Sequence, residues 1–179
     1  PPPDQGVSDK RLCALEPELT RVLRVGAREG NSLMPLLRMA WDGGRLATMA
    51  KNCGEAATGA HVTVIAHVVG EELVKYLHDS EVAGGLGNRI LWACVRRSKV
   101  LPCPGSLSPD RMVDLVERTR AALLWGGNRG RMERDAEAEE LWRQEYPTLT
   151  AGHPGMLAAM TSRAAPQVLR LSLIYAILD

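Results

Sequence analysis

The chain has 179 residues, with 22 Lys+Arg against 21 Asp+Glu and a formal net charge of +1. That length suits one domain, or one domain plus an appendage, with a substantial core. Near-neutrality removes overall charge as an argument for nucleic acid and leaves only a local basic patch. The four cysteines, Cys13, Cys53, Cys94 and Cys103, are far apart with no C-x-x-C pair. This spacing argues against a disulfide framework or zinc site and fits reduced thiols. No apolar run approaches the roughly 18 to 20 residues that cross a bilayer, and the opening PPPDQG lacks a signal-peptide pattern. The sequence therefore predicts a soluble cytoplasmic protein. It begins without Met and stops inside the apolar run LSLIYAILD with no stop signal, so it reads as a piece of a longer protein.

In chain order, KRLCALE (10–16) is a short apolar run closed by acid and proline, which predicts a strand buried on both faces and ending at a site. A helix is expected from Pro17 to about Arg28, with Pro at the start, where its missing N–H costs little. Leu33, Leu36, Leu37, Ala40 and Trp41 share one face of a second helix, stopped by Gly43-Gly44. Arg45 to Lys51 alternates weakly and suggests a strand, joined by Asn52 to Gly59 to the β-branched run HVTVIAH (61–67), which belongs inside a sheet. A helix over Glu71 to Leu77, with Glu71 and Lys75 spaced for an ion pair, precedes the Gly84–Gly87 break. Ile90 to Val95 is then expected as another central strand. Alternating strands and helices indicate an α/β structure.

After Pro102-Cys103-Pro104-Gly105 the pattern becomes helical. Ser108-Pro109-Asp110 is a strong helix start and Met112 to Leu124 has an apolar face. A break at Gly126 to Gly130 precedes a charged helix over Asp135 to Glu145, with Trp142 as its packing anchor. Met156 to Leu178 is helical with an interruption at Pro166. The expected division is 1–104 and 105–179.

Glu16 and Glu18 stand where the first strand ends, and carboxylates at such a tip can orient a water or a hydrated Mg²⁺ beside a phosphate. Helix-start acids favoured by the macrodipole are the equal alternative. His67, at the same edge, can sense a phosphate or position water, or simply be hydrogen-bonded structure. His61, His78 and His153 form no metal-ligand pattern with it. Arg89 follows the glycine-rich turn, which would hold its guanidinium at a surface edge. Such an arginine completes a neighbour's nucleotide site or forms a surface salt bridge. Arg96, Arg97 and Lys99, with Lys51 and Arg45, are candidates for DNA phosphates, although short charge runs are usually solvated faces. No G-x-x-x-x-G-K-[ST] loop occurs, so the chain alone is not expected to hold a nucleoside triphosphate tightly.

The blocks EPELTRVLRVGAREGNSLMPLLRMAWDGGRL, AKNCGEAATGAHVTVIAH and GGLGNRILWACVRRSKVLP, with the final TSRAAPQVLRLSLIYAILD, resemble an uncharacterised family of helicase-like proteins. These accompany primase-polymerase modules on prophages and integrated elements. The resemblance covers most of Ser8 to Pro102. It implies a partial RecA/AAA+-like P-loop core with a mainly parallel sheet, whose Walker A half lies upstream, followed by a helical C-terminal, lid-like subdomain. On this likeness Leu12 to Glu16 is the Walker B strand, with Glu16 or Glu18 serving Mg²⁺ or the attacking water. His67 stands at the sensor position, Arg89 at the arginine-finger position and Arg163 at a lid position. The Asp-Glu pair of an ordinary Walker B is missing, which leaves the division of roles between Glu16 and Glu18 open. ATP and Mg²⁺ are the implied cofactors of the complete parent. Its implied partners are DNA, further copies in a ring and a primase-polymerase module. The alternatives are a non-catalytic DNA-binding or scaffolding module and a decayed, inactive remnant.

Overall fold

The computed structural model describes residues 6–47, 56–103, 105–127 and 129–179; the expected division point Pro104, the candidate Lys51 and Cys53 lie outside them. The fold is mixed helix and sheet with a small parallel sheet. The chain divides into two compact units, Pro1–Ile90 with Gly155–Met160, and Leu91–Pro154 with Thr161–Asp179.

In the first unit β1 (Arg11–Glu16) leads into α1 (Leu19–Gly26) and α2 (Leu33–Asp42), then β2 (Leu46–Ala47), β3 (Ala56–Ala57) and β4 (His61–Ala66). β1 and β4 pair in parallel from Arg11 opposite His61 to Glu16 opposite Ala66. β2 and β3 form a minimal antiparallel pair. Within Arg45–Lys51, therefore, Leu46 and Ala47 are in a strand, and 48–51 lie outside the described residues. The chain continues through α3 (Gly70–Tyr76), α4 (Asp79–Ala83) and a single 3₁₀ turn at Gly87–Arg89.

Among the described residues the buried apolar side chains of this unit come from its helices and the turn after α4: Leu19, Leu23, Met34, Val82 and Leu86, with Thr20 the buried polar one. Leu19 and Leu23 recur at helical spacing and turn inward together. Met34 is 1% exposed, and a Cβ added at Gly26 would overlap its Cε, so α1 ends in close contact with the start of α2. Two polar links span the helices. Thr20 Oγ1 donates to Glu72 Oε2 at 2.7 Å, and Arg38 Nη1 pairs with Glu81 Oε2 at 2.9 Å. The expected Glu71–Lys75 ion pair is not among those of the described residues; the Lys75 ammonium lies 5.1 Å from the centre of the Tyr76 ring instead.

Two strand expectations need correction. β1 and β4 are not buried on both faces: Leu12, Leu15, Val64 and Ile65 are all about half exposed or more. A two-stranded sheet has two open edges, and the helices bury their apolar stripes largely against one another. Ile90 to Val95 is not a central strand. The backbone turns extended at Ile90, with φ −97° and ψ 130°, but 91–97 carry no ladder, and Val95 is 86% exposed. Apolar sequence favours an extended chain, yet a strand exists only where a neighbour takes its N–H and C=O groups.

In the second unit α5 (Pro109–Gly127) starts as the sequence indicates, with the Met112 N–H donating to Ser108 O. α6 (Ala136–Thr150) is capped by Asp135, whose Oδ1 accepts from the Ala138 N–H at 2.8 Å. It runs past Glu145 through Pro147. The Trp142 and Tyr146 rings sit 5.5 Å apart one turn along it. α7 (Gly155–Thr161), most of which belongs to the first unit, and α8 (Ala164–Leu178) break at Ser162-Arg163 rather than at Pro166. Pro166 is the third residue of α8, where no intrahelical N–H bond is lost. α5 and α6 both pack on α8.

The α1–α2 contact yields a stability test. Met34→Ala should cost about 2–5 kcal/mol in urea unfolding, and Gly26→Ala about 1–3 kcal/mol through overpacking. Gly70→Ala, in the first turn of α3 with nothing within 4 Å of the added methyl, should be neutral or stabilising by up to about 1 kcal/mol.

Candidate functional site at the carboxyl edge of the parallel pair

Because β1 and β4 are parallel and Glu16 stands opposite Ala66, the residues that follow each strand emerge at one edge. The backbone fixes this edge twice. The His67 N–H donates to Glu16 O at 3.0 Å, and the His67 carbonyl accepts from the Leu19 N–H at 2.8 Å. Pro17 cannot donate, so Leu19 at the head of α1 supplies a donor that α1 itself would leave unsatisfied. The exits of both strands and the entry to α1 are thereby joined.

Glu16, Glu18 and His67, the candidates from the sequence, therefore meet at one place. Their side chains differ in state. Glu16 is 16% exposed and both its oxygens are engaged: Oε2 accepts from Arg21 Nη2 at 2.8 Å and Oε1 from the Glu18 N–H at 3.1 Å. The Arg21 guanidinium, and after it the Glu18 amide, hold the Glu16 carboxyl below its ordinary value of 4.5, against a smaller upward push from burial. Glu18, at the N-cap position of α1, makes no capping bond and is exposed, as is His67.

Mg²⁺ characteristically binds through one or two carboxylates, with waters and substrate phosphates completing the octahedron. Glu16 in its present state fits an ion pair better than a cation, because binding a metal would mean leaving Arg21. Glu18 is the carboxylate free to turn toward a ligand. Among the described residues no group of three or more His, Cys, Asp and Glu could hold a metal ion.

Arg89 does not stand at the exposed surface edge anticipated from the sequence. Its side chain is 12% exposed and turned inward, with Nη2 on Asp42 Oδ2 at 2.7 Å and Nη1 on Gly85 O at 2.8 Å. The guanidinium also lies 5.8 Å from the centre of the Trp41 ring. Gly85 has φ +82°, a conformation that suits glycine and carries its carbonyl to Arg89. Arg89 Nε is buried without a hydrogen-bond partner. All the named partners come from the end of α2 and the turn after α4.

Arg45 is exposed in the first unit, and Arg163, Arg96, Arg97 and Lys99 belong to the second. Arg163 immediately precedes α8, half-buried, and its carbonyl accepts from the Gln167 N–H. Arg96, Arg97 and Lys99 are exposed in the irregular segment after Ile90. Sequence reasoning missed Arg21 and Asp42, which hold Glu16 and Arg89. Arg21 offered a signal, being the first cation after Glu16 on a helix that starts at the strand's end. Asp42, 47 residues from Arg89, offered none.

Both ion pairs are open to measurement. In a carboxyl NMR titration Glu16 should titrate below 4.5, and Arg21→Ala should return it toward that value. A lowered folded pKa means that the pair stabilises the fold above about pH 4.5 and is lost as pH falls through the lowered value. Arg21→Ala should flatten this acid limb of stability. For Arg89 and Asp42, a double-mutant cycle with Arg89→Ala and Asp42→Ala should give a coupling of about 1–2 kcal/mol, since one partner is mostly buried and the other half exposed.

No family model matches the chain, and the comparisons with curated proteins and with solved structures likewise find no match.

Proposed function

We propose that this chain is the C-terminal half of a P-loop ATPase domain of RecA or AAA+ kind, from a replication or mobile-element protein. Its parent couples ATP hydrolysis to movement on, or remodelling of, DNA. The observation that carries the reading is the parallel β1–β4 pair with Glu16, Glu18 and His67 at its carboxyl edge. Open parallel sheets bind their ligands at the carboxyl ends of strands. An acid at the Walker B tip and a polar residue on the next strand are what phosphoryl transfer to water asks of this edge.

In this reading Glu18 draws the proton side of the attacking water toward itself and so aims its oxygen at the γ-phosphorus. Glu16 and Arg21 form a fixed pair behind it, and His67 donates to a terminal phosphate oxygen. ATP with Mg²⁺, held by the upstream half, would supply the phosphoryl group and the charge that offsets its negative oxygens. Arg89 serves as a finger in a neighbour's site within a ring, which requires it to exchange Asp42 for phosphate. Arg163 acts from a helical lid. Lys51, Arg96, Arg97 and Lys99 meet DNA, and a primase-polymerase module is fused or associated.

A second reading, a non-catalytic DNA-binding or scaffolding module, draws support from the same two ion pairs. Glu16 with Arg21, and Arg89 with Asp42, are satisfied without any nucleotide.

The test is DNA-stimulated ATP hydrolysis by the parent protein that carries this chain and its P-loop. Glu18→Gln and Arg89→Ala should each lower the rate, the latter by about 10³-fold or more, with DNA binding retained. Equal rates for wild type and Arg89→Ala would overturn the finger role. DNA binding without hydrolysis in the wild-type parent would favour the scaffolding module.

A further inference from the structure

We propose that the end of α5, with Arg129 and Arg131 beyond it, forms a binding site for single-stranded nucleic acid, with Trp125 as the stacking platform and Arg118, Arg129 and Arg131 as phosphate contacts. It shares no residue with the carboxyl edge of β1 and β4, and the inference does not depend on the ATPase reading.

Charge is what first sets this segment apart. Residues 118–131, RTRAALLWGGNRGR, hold four arginines and no Asp or Glu, in a chain whose net charge is only +1. Few of these arginines are neutralised by the fold. Among the described residues no ion pair involves Arg118, Arg120 or Arg129, and Arg131 meets Glu133 at 3.3 Å with both side chains largely exposed. An exposed pair of that kind contributes little and yields readily to a phosphate. Arg134 makes the contrast, since Glu139 holds it at 2.7 Å.

Beside these cations stands a tryptophan. Trp125 is 42% exposed, and the Arg129 guanidinium lies 4.5 Å from the ring centre. Arg118 is seven residues before Trp125, hence on the same helix face, with Ala121 and Ala122 between them, so no bulky side chain separates cation from ring. Every base has a π-face, and stacking on an aromatic ring beside arginine is how single strands are held without sequence readout. A duplex offers no such face.

Three glycines, Gly126, Gly127 and Gly130, follow the ring closely. Gly126 is explained by packing, since a Cβ there would come within 3.0 Å of Ile177 Cγ2. Gly127 and Gly130 are not: nothing lies within 4 Å of an added Cβ and neither has a left-handed φ. Their missing side chains leave room for a close approach beside the ring. A cation that only capped the negative end of α5 would account for Arg129. It would not account for the absence of acids across the segment, the exposed ring or the open glycines together.

The test measures anisotropy of labelled oligothymidylate, oligouridylate and a duplex of equal length, mixed with the chain without nucleotide at about 50 to 200 mM salt. Expected is binding to both single strands above the duplex, with log K falling against log salt at a slope of about −2, from about 0.7 per phosphate for three contacts. Trp125→Ala should weaken binding about tenfold or more, and Trp125→Phe by less. Arg129→Ala with Arg131→Ala should flatten the slope by more than one unit, whereas Arg129→Lys should keep it. All these positions are exposed, and unchanged urea unfolding verifies that each variant folds. The proposal is overturned if Trp125→Ala and the double arginine variant bind like wild type. It is equally overturned if duplex or anionic vesicles bind better than single strands, or if substituting Arg96, Arg97 and Lys99 with Ala removes all binding.

Discussion

The parallel pairing of β1 with β4 is the constraint on which the first unit depends. Antiparallel neighbours can be joined by a two-residue turn, but parallel ones need a crossover that carries the chain back to the starting end. Here α1, α2 and the β2–β3 pair make up that crossover, and they supply much of the buried apolar surface. The bond from Leu19 N–H to His67 O fastens it to the sheet, tying the first residue of α1 to the residue just beyond the end of β4. Loss of the pairing would separate Glu16 from His67 and remove the reason for α1 to start where it does.

Above that frame the first unit anchors several of its arginines internally, while Arg28 and Arg45 stay exposed. Arg21 goes to Glu16, Arg38 to Glu81 and Arg89 to Asp42, each at 2.7–2.9 Å. The partly buried two link elements distant in sequence and act as registration marks between helices, because a half-buried charge left alone would be costly. The second unit treats its cations differently. Arg134, just before α6, and Arg143 within it are paired locally with Glu139 and Glu140, while those at the end of α5 are without a carboxylate partner among the described residues or hold one only at the exposed surface. The same residue type fixes internal geometry in one unit and is available to external anions in the other.

Local pattern made much of the fold legible. β1, β4, α1, α2 and the starts of α5 and α6 follow from apolar periodicity, Pro17, Ser108 and Asp135, all of which act within a few residues. The convergence of Glu16, Glu18 and His67 was legible too, since both strands end in polar residues and parallel pairing suffices to bring them together. Burial of the strands was not, because LCAL and VTVI record the chemistry of the side chains and not whether a neighbour covers them. ILWACV illustrates the same limit: a run fit for a central strand joins no ladder among the described residues. Arg89 was misjudged for a related reason. A position after a glycine turn does not reveal a carboxylate 47 residues away, and tertiary partners of this kind leave no mark on spacing.

The open faces of β1 and β4 bear on how the protein behaves in concentrated solution. Leu12, Leu15, Val64 and Ile65 lie on a pair that has no third strand among the described residues, and exposed apolar side chains at an open edge are the combination that templates strand addition between molecules. Cys13, exposed on β1 as a free thiol, adds covalent capture to any encounter at that edge under oxidising conditions. The six-residue strand β1 thus combines an apolar face, an edge and a thiol, so reductant is the condition that limits covalent association through it.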